Sequence, residues 1–374
     1  MISAHPHWPT RFPGPRKCSY RPGVTVIVAA CDRPDVLPAV LRCVKRQTIV
    51  NWTTLVIGDC CDESIASCVS AMEDERFHYI NLAKRSGGQH GPNTVGLYLA
   101  DTKFVAFLNH DDLWLPDHLE KSVAALERQD ADLCLGRAAF AATSDELVAK
   151  LDRPAFVELN VPSSLRRAYA GANYIFEPAS SWLLRTEFAF RIGPWRPAYM
   201  LHRTSLQDWL LRAWRLRPVT ILGEEPTTLK LNIHHDPRRT FAGQSQYAVP
   251  QPHYGTLVNL IEQLGSEGIR VLIYDDVSKA HERNLPVRNP GRLEVVASAP
   301  SWLKHKTTLN LLAEIYRWTG FDFVHWYLWQ PDKRIKYFHE LIRVRTGQTI
   351  DTLPNLTETL QYADEQLVPV HRTP

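Results

Sequence analysis

The sequence predicts an α/β protein with a Rossmann-like, mostly parallel sheet flanked by helices, followed by a mainly helical C-terminal extension. Short apolar runs rich in β-branched residues, such as 24–30, have the composition of strands buried on both faces. Segments with apolar residues at helical spacing alternate with these runs, which indicates right-handed βαβ units. At 374 residues, the chain is long enough for one large domain with an appendage, or for two domains.

The first half of the chain alternates strands and helices regularly. We predict strands at 24–30, 54–57, 77–80 and 104–108, and helices at 36–47, 64–72 and 94–100. The second half is less regular. There we predict a strand and a short helix within 180–192, a helix at 205–216, strands at 219–222 and 227–232, a helix at 254–264, an apolar run at 270–274 and a Trp- and Tyr-rich helical stretch at 303–344.

These patterns divide the chain into three predicted parts. Residues 1–22 read as a Pro-rich arm, 23–250 as the α/β domain with its halves divided near residue 125, and 251–374 as the helical extension. The hydrophobic fraction of 44% and charged fraction of 22% are those of a soluble globular protein. A net charge of +3 gives no reason to expect a nucleic-acid partner.

The cysteines and the N-terminus bear on the cellular compartment. The seven cysteines show no disulfide or zinc spacing, which favours reduced thiols. The arm has no apolar core of a signal peptide, and no apolar stretch is long enough to span a bilayer. We therefore expect a cytoplasmic protein, and leave open peripheral contact with the inner face of the plasma membrane.

Acidic side chains follow the ends of three predicted strands. Asp32, Asp59 and Asp111 each come just after an apolar run, and Asp111 lies in the segment "FLNHDDLWLPDHLE". In parallel sheets, ligands bind in the crevice beyond the carboxyl ends of the strands. We therefore expect the three carboxylates to face one crevice. A helix cap or a turn is the alternative for each of them taken alone.

Four segments, in this order, resemble the family 2 glycosyltransferases of GT-A fold. They are "VTVIVAACDRPDVLPAVLRCVKRQT", "NWTTLVIGDCCDES", "GPNTVGLYLADTKFVAFLNHDDLWLPDHLE" and "SSWLLRTEFAFRIGPWRP" with the following "SLQDWLLRAW". The resemblance covers roughly residues 23 to 236. It implies an enzyme that transfers a sugar from a nucleotide-sugar donor to a hydroxyl acceptor with inversion.

By this resemblance, residues 23–125 form the nucleotide-binding half and 126–250 the acceptor half. A carboxylate that accepts a hydrogen bond from uracil suits a UDP-linked donor. The resemblance places Asp32 and Asp59 at the nucleobase and ribose. We also predict nucleotide contacts for Ala30, Arg85, Asn109 and His110. Arg85 precedes the Gly87-Gly88 turn. Its side chain contacts either a phosphate of the donor or only solvent, and the sequence favours neither alternative.

A divalent metal, Mn²⁺ or Mg²⁺, offsets the charge that develops on a diphosphate leaving group. The resemblance assigns Asp111, the second aspartate of the DxD motif, as a metal ligand, with His234 as a further ligand. Asn109 stands where the family has the first aspartate. We assign Asp112 and Trp182 to the donor sugar. For each of Trp114, Trp182 and Trp209, stacking on a sugar and packing in the core are the alternatives.

An inverting transfer needs a base that takes the proton of the acceptor hydroxyl. By resemblance this base is Asp208, where Gln207 replaces the family's preceding Glu. The alternative for Asp208 is a carboxylate that stabilises a helix N-terminus. Tyr274-Asp275-Asp276 also follows an apolar run, but no family motif surrounds it, and we predict a turn there.

We therefore predict an inverting glycosyltransferase of surface polysaccharide or glycan assembly, with a nucleotide-sugar donor and a glycan or other hydroxyl acceptor as partners. A non-catalytic scaffold that binds sugar nucleotides is the alternative, favoured by Asn109 and Gln207. A nucleotidyltransferase is a weaker alternative. That class usually has a Gly-rich, basic signature near the first strand, and "AACDRPD" lacks one. The aromatic stretch after residue 303 is compatible with a membrane surface, a cap over the acceptor site or a homo-oligomer interface.

Overall fold

The computed structural model of the protein describes residues 8, 11–12, 20–142, 151–160, 178–201, 204–231, 251–279, 300–328, 342–343, 346–349, 352–353 and 355–367. Over these residues, the strands form one nine-stranded mixed sheet. Helices pack against both of its faces, since Val26 and Val28 of the first strand lie in one core cluster and Ile27 lies in another. The predicted fold class is confirmed. The predicted division into three parts remains a proposal.

The sheet has the strand order β3-β2-β1-β4-β8-β6-β9-β5, and β7 pairs with β6. Its strands are β1 (Arg21–Ala30), β2 (Trp52–Gly58), β3 (Phe77–Asn81), β4 (Thr102–Asn109), β5 (Asp112–Trp114), β6 (Leu133–Ala142), β7 (Ala155–Leu159), β8 (Trp182–Arg185) and β9 (Thr220–Lys230). Strands β1 to β4 pair in parallel, whereas β8 pairs antiparallel with both β4 and β6.

The helices of the described residues are α1 (Leu37–Lys45), α2 (Glu63–Ser70), α3 (His90–Leu99), α4 (His118–Arg128), α5 (Thr186–Ile192), α6 (Ser205–Arg215), α7 (Gln251–Lys279), α8 (Ser301–Lys304), α9 (Lys306–Thr319), α10 (Phe323–Leu328) and α11 (Leu356–Leu367). Single 3-10 turns lie at Ala179–Ser181 and Ala198–Met200. In the described part of the chain, no helix is both long and apolar enough to cross a bilayer.

The first half of the chain follows the prediction closely. Every predicted strand and helix from β1 to β4 is present, with ends shifted by a few residues. The largest shift is in α3, which begins at His90 rather than at 94, so Gly91 and Pro92 lie in its first turn. Proline is tolerated there because the first N–H groups of a helix have no partner within the helix.

The second half differs more. The predicted strands 219–222 and 227–232 are one irregular strand, β9, whose pairing with β6 shifts register twice. Strands β5, β6 and β7 were absent from the prediction. The short β5 pairs antiparallel with β9, so Asp112 lies opposite Lys230.

The predicted turn at Tyr274-Asp275-Asp276 is wrong, because these residues lie inside α7. This helix joins the predicted helix 254–264 to the apolar run after a kink at Gly265, whose φ of 64° suits glycine. Asp276 is fully buried and accepts hydrogen bonds from Arg153 at 2.6 and 2.9 Å. The helix packs in the same core cluster as β1 and α1.

Part of the N-terminal arm is anchored to the sheet domain. The Trp8 indole is buried and donates a hydrogen bond to the Trp195 carbonyl at 2.8 Å. Phe12 packs against Phe190 with ring centroids 4.5 Å apart. The six cysteines of the described residues form no disulfide with one another. The predictions for Asn232, His234 and residues 329–341 lie outside the described residues.

Candidate active site

The carboxyl ends of the first parallel strands lie level with one another. In the register of the sheet, Ala30 of β1 pairs with Gly58 of β2, and Ala29 pairs with Asn109 of β4. The residues that follow these strands therefore share one edge of the sheet. This edge is the crevice in which the parallel half of an α/β sheet binds ligands.

Asp32 and Arg85 meet at this edge. The guanidinium of Arg85 lies 2.6 and 2.9 Å from the two carboxylate oxygens of Asp32, and it also donates to the Cys60 carbonyl at 3.0 Å. Asp32 adopts a left-handed backbone conformation with φ of 44°. The Asp32 side chain is 48% exposed and that of Arg85 26%, so a ligand at the strand ends can reach both.

Asp59 lies beneath the neighbouring loop. Its two carboxylate oxygens accept hydrogen bonds from the backbone N–H groups of Ser86 at 2.6 Å and Gly87 at 2.9 Å. The side chain is buried, and this burial raises the pKa of Asp59 above its ordinary value, although the hydrogen bonds act in the opposite direction. Asp59 thus holds the loop that carries Arg85, and its predicted contact with the nucleotide remains a prediction.

The turn after β4 is built around the buried carboxylate of Asp112. Its Oδ2 accepts hydrogen bonds from the Asn109 side-chain amide at 2.8 Å and from the Ser180 hydroxyl at 2.5 Å. Its Oδ1 lies 3.3 Å from the Lys230 ammonium. Burial raises the pKa of Asp112, whereas the charge of Lys230 lowers it. Asp112 is fully buried and anchors the turn, and its predicted contact with the donor sugar remains a prediction.

Asp111 is the carboxylate of this turn that remains available. Its backbone carbonyl accepts a hydrogen bond from the Tyr254 hydroxyl at 3.1 Å, whereas its half-buried carboxylate accepts none within the described part of the chain. His110 Nδ1 donates to the Ala29 carbonyl at 3.0 Å, which ties the turn to the end of β1. Among the described residues, the turn thus presents the Asp111 carboxylate without a hydrogen-bond partner, on a fixed backbone.

The donor set suits a divalent cation that a substrate helps to bind. Within the described residues, no group of three or more His, Cys, Asp or Glu side chains is arranged to hold a metal by itself. Mg²⁺ and related ions are bound in nucleotide enzymes by one or two carboxylates together with substrate phosphates and water. Asp111 fits that role, whereas His234 lies outside the described residues.

The three tryptophans considered for sugar stacking belong to the core. Trp114, Trp182 and Trp209 are all fully buried. Trp182 and Trp209 lie in a stacked aromatic cluster with Trp195, with ring centroids 5.1 to 6.0 Å apart. The Trp114 ring stacks on His118 at 4.2 Å. This burial agrees with the core-packing alternative for all three rings, and the contact of Trp182 with the donor sugar remains a prediction.

Asp208 lies in the first turn of α6, within a buried ion-pair cluster. Its Oδ2 accepts hydrogen bonds from Arg196 at 3.0 Å and Arg212 at 2.9 Å, and its Oδ1 accepts a second one from Arg196. Arg212 also donates to the carbonyls of Ile192 and Pro194. Asp208 therefore holds the chain before α6. To act as a base, it has to exchange a hydrogen bond from Arg196 for one from the acceptor hydroxyl.

Several residues that build this site were not predicted from the sequence. Ser180, Lys230 and Tyr254 all contact the Asp111-Asp112 turn from distant parts of the chain. Lys230 was within a predicted strand, but its pairing with Asp112 depends on the short strand β5. No local pattern around these residues signals their contacts, which arise only from the strand order.

Residues 25–192 of the chain are similar to a known enzyme family. This region matches the family model described as Glycosyl transferase family 2. The match spans β1 to α5 and therefore includes the Asp32–Arg85 pair and the Asp111-Asp112 turn. The resemblance drawn from the sequence motifs is thereby confirmed.

Several curated relatives from bacteria are similar to part of the chain. The succinoglycan biosynthesis protein ExoW of Rhizobium meliloti (strain 1021) is 34% identical over 113 residues, which are 29% of this chain and 35% of ExoW. The putative teichuronic acid biosynthesis glycosyltransferase TuaG of Bacillus subtilis (strain 168) is 28% identical, over 39% of this chain and 56% of TuaG. The UDP-Glc:alpha-D-GlcNAc-diphosphoundecaprenol beta-1,3-glucosyltransferase WfgD of Escherichia coli is 26% identical, over 30% and 44% respectively. The chain thus spans between about a third and somewhat over half of the length of these relatives.

Solved structures show a weaker likeness. TarS 1-349 of S. aureus in complex with UDP-GlcNAc has 16% sequence identity and a TM-score of 0.46, covering 94% of this chain and 89% of that one. The mannosyltransferase PcManGT of Pyrobaculum calidifontis, in complex with GDP-Man and Mn²⁺, has 14% identity and a TM-score of 0.44, covering 94% and 87%. Scores this low do not support an argument about ligands or activity.

Proposed function

We propose that this protein transfers a sugar from a UDP-linked donor to a hydroxyl acceptor, with inversion, in the assembly of a bacterial surface polysaccharide. The match of residues 25–192 to the Glycosyl transferase family 2 model supports the reaction class. The names of ExoW and TuaG support polysaccharide assembly, and that of WfgD supports a UDP-sugar donor. The expected cytoplasmic location belongs to the same proposal.

The observation that carries this proposal is the free carboxylate of Asp111 on an anchored turn. Asp112, Ser180 and Lys230 fix the turn from beneath, so Asp111 is held at the strand ends without a partner of its own among the described residues. In the proposal, Asp111 holds a divalent cation at the donor diphosphate. That cation supplies charge stabilisation for the leaving group when it is bound.

The other proposed roles follow from the contacts at the strand ends. Asp32 and Ala30 lie at the end of β1 and are proposed to contact the nucleotide, with His110 and Asn109 beside them. Arg85 is bound to Asp32 in a bidentate pair and lies near enough to exchange that partner for a phosphate. Asp208 is proposed as the base for the acceptor hydroxyl, and His234 as a further metal ligand.

The experiment that tests the proposal measures release of the nucleoside diphosphate from a panel of UDP-, GDP- and dTDP-sugars, with and without Mn²⁺. We expect slow, metal-stimulated release from one or more UDP-sugars by the purified protein. The Asp111→Ala variant should lose this release, whereas Asp275→Ala, which removes a carboxylate from the surface of α7, should retain it. Equal release by the Asp111→Ala variant would contradict the proposal.

A scaffold that binds sugar nucleotides without turnover is the second candidate. It is favoured by the engagement of Asp208 with Arg196 and Arg212, which leaves the proposed base without a free oxygen. It is also favoured by the neutral Asn109 in the metal-binding turn. Binding of UDP that is indifferent to Mn²⁺, with no release from any nucleotide sugar, would support the scaffold instead.

A further inference from the structure

Helix α9 carries apolar residues on two sides. One side is buried against the core cluster that contains α6, and it comprises Leu309, Ala313 and Tyr316. The other comprises Leu311, Ile315 and Trp318, which are 61%, 37% and 72% exposed. These three residues are spaced by four and three positions, so they lie along one face of the helix. A packed helix needs only one such face, so the second apolar face is unexplained by the fold.

Exposed aromatic rings extend this second face onto the neighbouring helices. The rings of Trp302, Phe321, Trp326 and Tyr327 gather around Phe323, with centroids 5.7 to 6.4 Å from it. Each of the four is between 42% and 47% exposed. We call the whole surface the aromatic face; its members are Trp302, Leu311, Ile315, Trp318, Phe321, Trp326 and Tyr327. Among the described residues, the exposed aromatic side chains all belong to this face apart from Tyr274.

The polar groups around the aromatic face are mostly basic. The guanidinium of Arg217 lies 5.1 Å from the centre of the Trp318 ring. The exposed Arg215, at the end of α6, contacts the end of α9 through the Arg317 carbonyl. The described residues 301–328 contain three Lys and Arg residues against two Asp and Glu residues. The surroundings of the face are therefore complementary to an anionic partner.

We propose that the aromatic face is a docking surface for an anionic lipid bilayer. Tryptophan and tyrosine rings are favoured at the level of lipid headgroups, because one side of the ring is apolar and the other can meet water. Lys and Arg side chains beside them are attracted to anionic lipids. A twofold homodimer through this face is less favourable, because a self-complementary interface would set the same basic rim against itself.

Docking there has a geometric consequence for the site. Helix α6 has Asp208 in its first turn and Arg215 at its end, a separation of about 10 Å at 1.5 Å per residue. Membrane contact at the aromatic face would therefore hold the acceptor side of the proposed site close to the bilayer surface. The docking itself depends only on surface residues, and it does not require the proposed transfer to occur.

Sedimentation with lipid vesicles tests the proposal. The full chain is mixed with vesicles of phosphatidylcholine alone, or with about a third phosphatidylglycerol, at low and high salt. We expect binding to the anionic vesicles that is at least about tenfold tighter than to the neutral ones and that weakens as salt rises. The double variant Trp318→Ser/Trp326→Ser should lose most of the binding. Arg217→Asn should weaken it while keeping the left-handed backbone at this position, where φ is 56°.

Matched variants separate the possible outcomes. Tyr274→Ser removes an exposed aromatic ring outside the face and should bind vesicles as the unchanged protein does. Asp111→Ala should also bind them, so failure of the proposed transfer and failure of docking can be told apart. Equal binding to neutral and anionic vesicles, or no binding, would overturn the proposal. So would sedimentation equilibrium showing a dimer that the double tryptophan variant abolishes, because the face would then be a self-association surface.

Discussion

At the residue scale, the neutral amide of Asn109 has a structural reason. Its Nδ2 donates to Asp112, a carboxylate with no exposed surface, and its backbone N–H donates to Ser180. A buried carboxylate is stable only when its oxygens accept enough hydrogen bonds or meet an opposite charge. In this chain, Asn109 and Lys230 meet that need together. The replacement of the family's first aspartate is thus linked to Asp112 rather than to Asp111.

We predict that Asn109→Asp destabilises the protein by about 1–3 kcal/mol, which urea unfolding will measure. The new carboxylate cannot donate to Asp112 and brings a second negative charge against it. Asn259→Asp makes the same chemical change at an exposed position in the middle of α7 and is the control. An Asn109→Asp protein as stable as this control would show that the Asn109–Asp112 hydrogen bond is unimportant.

Asp208 has a proposed chemical role and an observed structural one, and a single variant separates them. Asp208→Asn should lower the rate of sugar transfer by about a factor of 10² to 10⁴ while the affinity for UDP stays within a few-fold. The same change should lower the free energy of unfolding by about 3–5 kcal/mol, because Arg196 and Arg212 lose their common carboxylate. Transfer rates are therefore compared at a temperature where circular dichroism shows the variant to be folded.

The control for Asp208→Asn removes another carboxylate that pairs with an arginine. Asp130 pairs with Arg185 at 2.6 Å, but its side chain is 95% exposed. Asp130→Asn should leave both the transfer rate and the stability nearly unchanged, as is usual for surface ion pairs. If Asp208→Asn loses stability but keeps its transfer rate, Asp208 is a structural residue alone.

The sequence could identify where acidic residues gather but not which of them are buried. Asp32 and Asp111 follow strand ends and remain accessible, whereas Asp59 and Asp112 follow strand ends and lie in the core. All four have similar local sequence contexts. The difference depends on Ser86, Ser180 and Lys230, which approach from other elements, and no local pattern records those contacts.

At the element scale, the packing of α3 on β1 depends on a residue without a side chain. A Cβ atom at Gly96 would lie 2.4 Å from Cγ2 of Ile27, a fully buried residue of β1. We predict that Gly96→Ala destabilises the protein by about 1–3 kcal/mol, since the added methyl group overpacks the core. Thermal and urea unfolding will measure the effect.

A double-mutant cycle provides the control for Gly96→Ala. Ile27→Ala alone should destabilise the protein by leaving a cavity, by about 2–5 kcal/mol. The combination of the two changes should cost less than the sum of the single effects, because the smaller side chain makes room for the new methyl group. Additive costs would indicate that the strain at Gly96 arises from the helix backbone rather than from Ile27.

The elements of the parallel half could be predicted because each strand is a continuous apolar run followed by a helical pattern. The short β5 could not, because its three residues are strand-like only through pairing with β9. Strand β6, which the prediction omitted, carries the apolar pattern "LCLGRAAFAA" with Gly136 near its middle. Glycine in a strand usually weakens the pattern, and here it allows close approach to the Ser181 carbonyl.

At the scale of the whole molecule, buried histidines make the fold sensitive to acid. Burial lowers the pKa of His90 and of His118 to about 3. In the unfolded chain these side chains take up protons below about pH 6.5, whereas in the folded protein they stay neutral to about pH 3. Each histidine therefore reduces the stability by up to ~1.4 kcal/mol per pH unit as the pH falls through this window.

Urea unfolding at several pH values between about 7 and 4.5 measures this dependence. The buried Asp59 and Asp112 act in the opposite direction, since their raised pKa values favour proton uptake by the folded protein. We therefore compare how steeply the free energy of unfolding changes with pH in the unchanged protein and in two histidine variants. His118→Gln should reduce the loss of stability per pH unit, whereas His305→Gln, at an exposed position, should leave it unchanged. Identical slopes for the three proteins would contradict burial of a neutral His118.

The proposed function depends on whether Asp111 binds a metal together with a nucleotide. Titration calorimetry with UDP, in the presence and absence of Mn²⁺, measures this directly for the unchanged protein, for Asp111→Ala and for Asp275→Ala. We predict that Mn²⁺ tightens UDP binding at least about tenfold in the unchanged protein and in Asp275→Ala, and has no effect in Asp111→Ala. The same Mn²⁺ enhancement in the Asp111→Ala protein would contradict the assignment of the site.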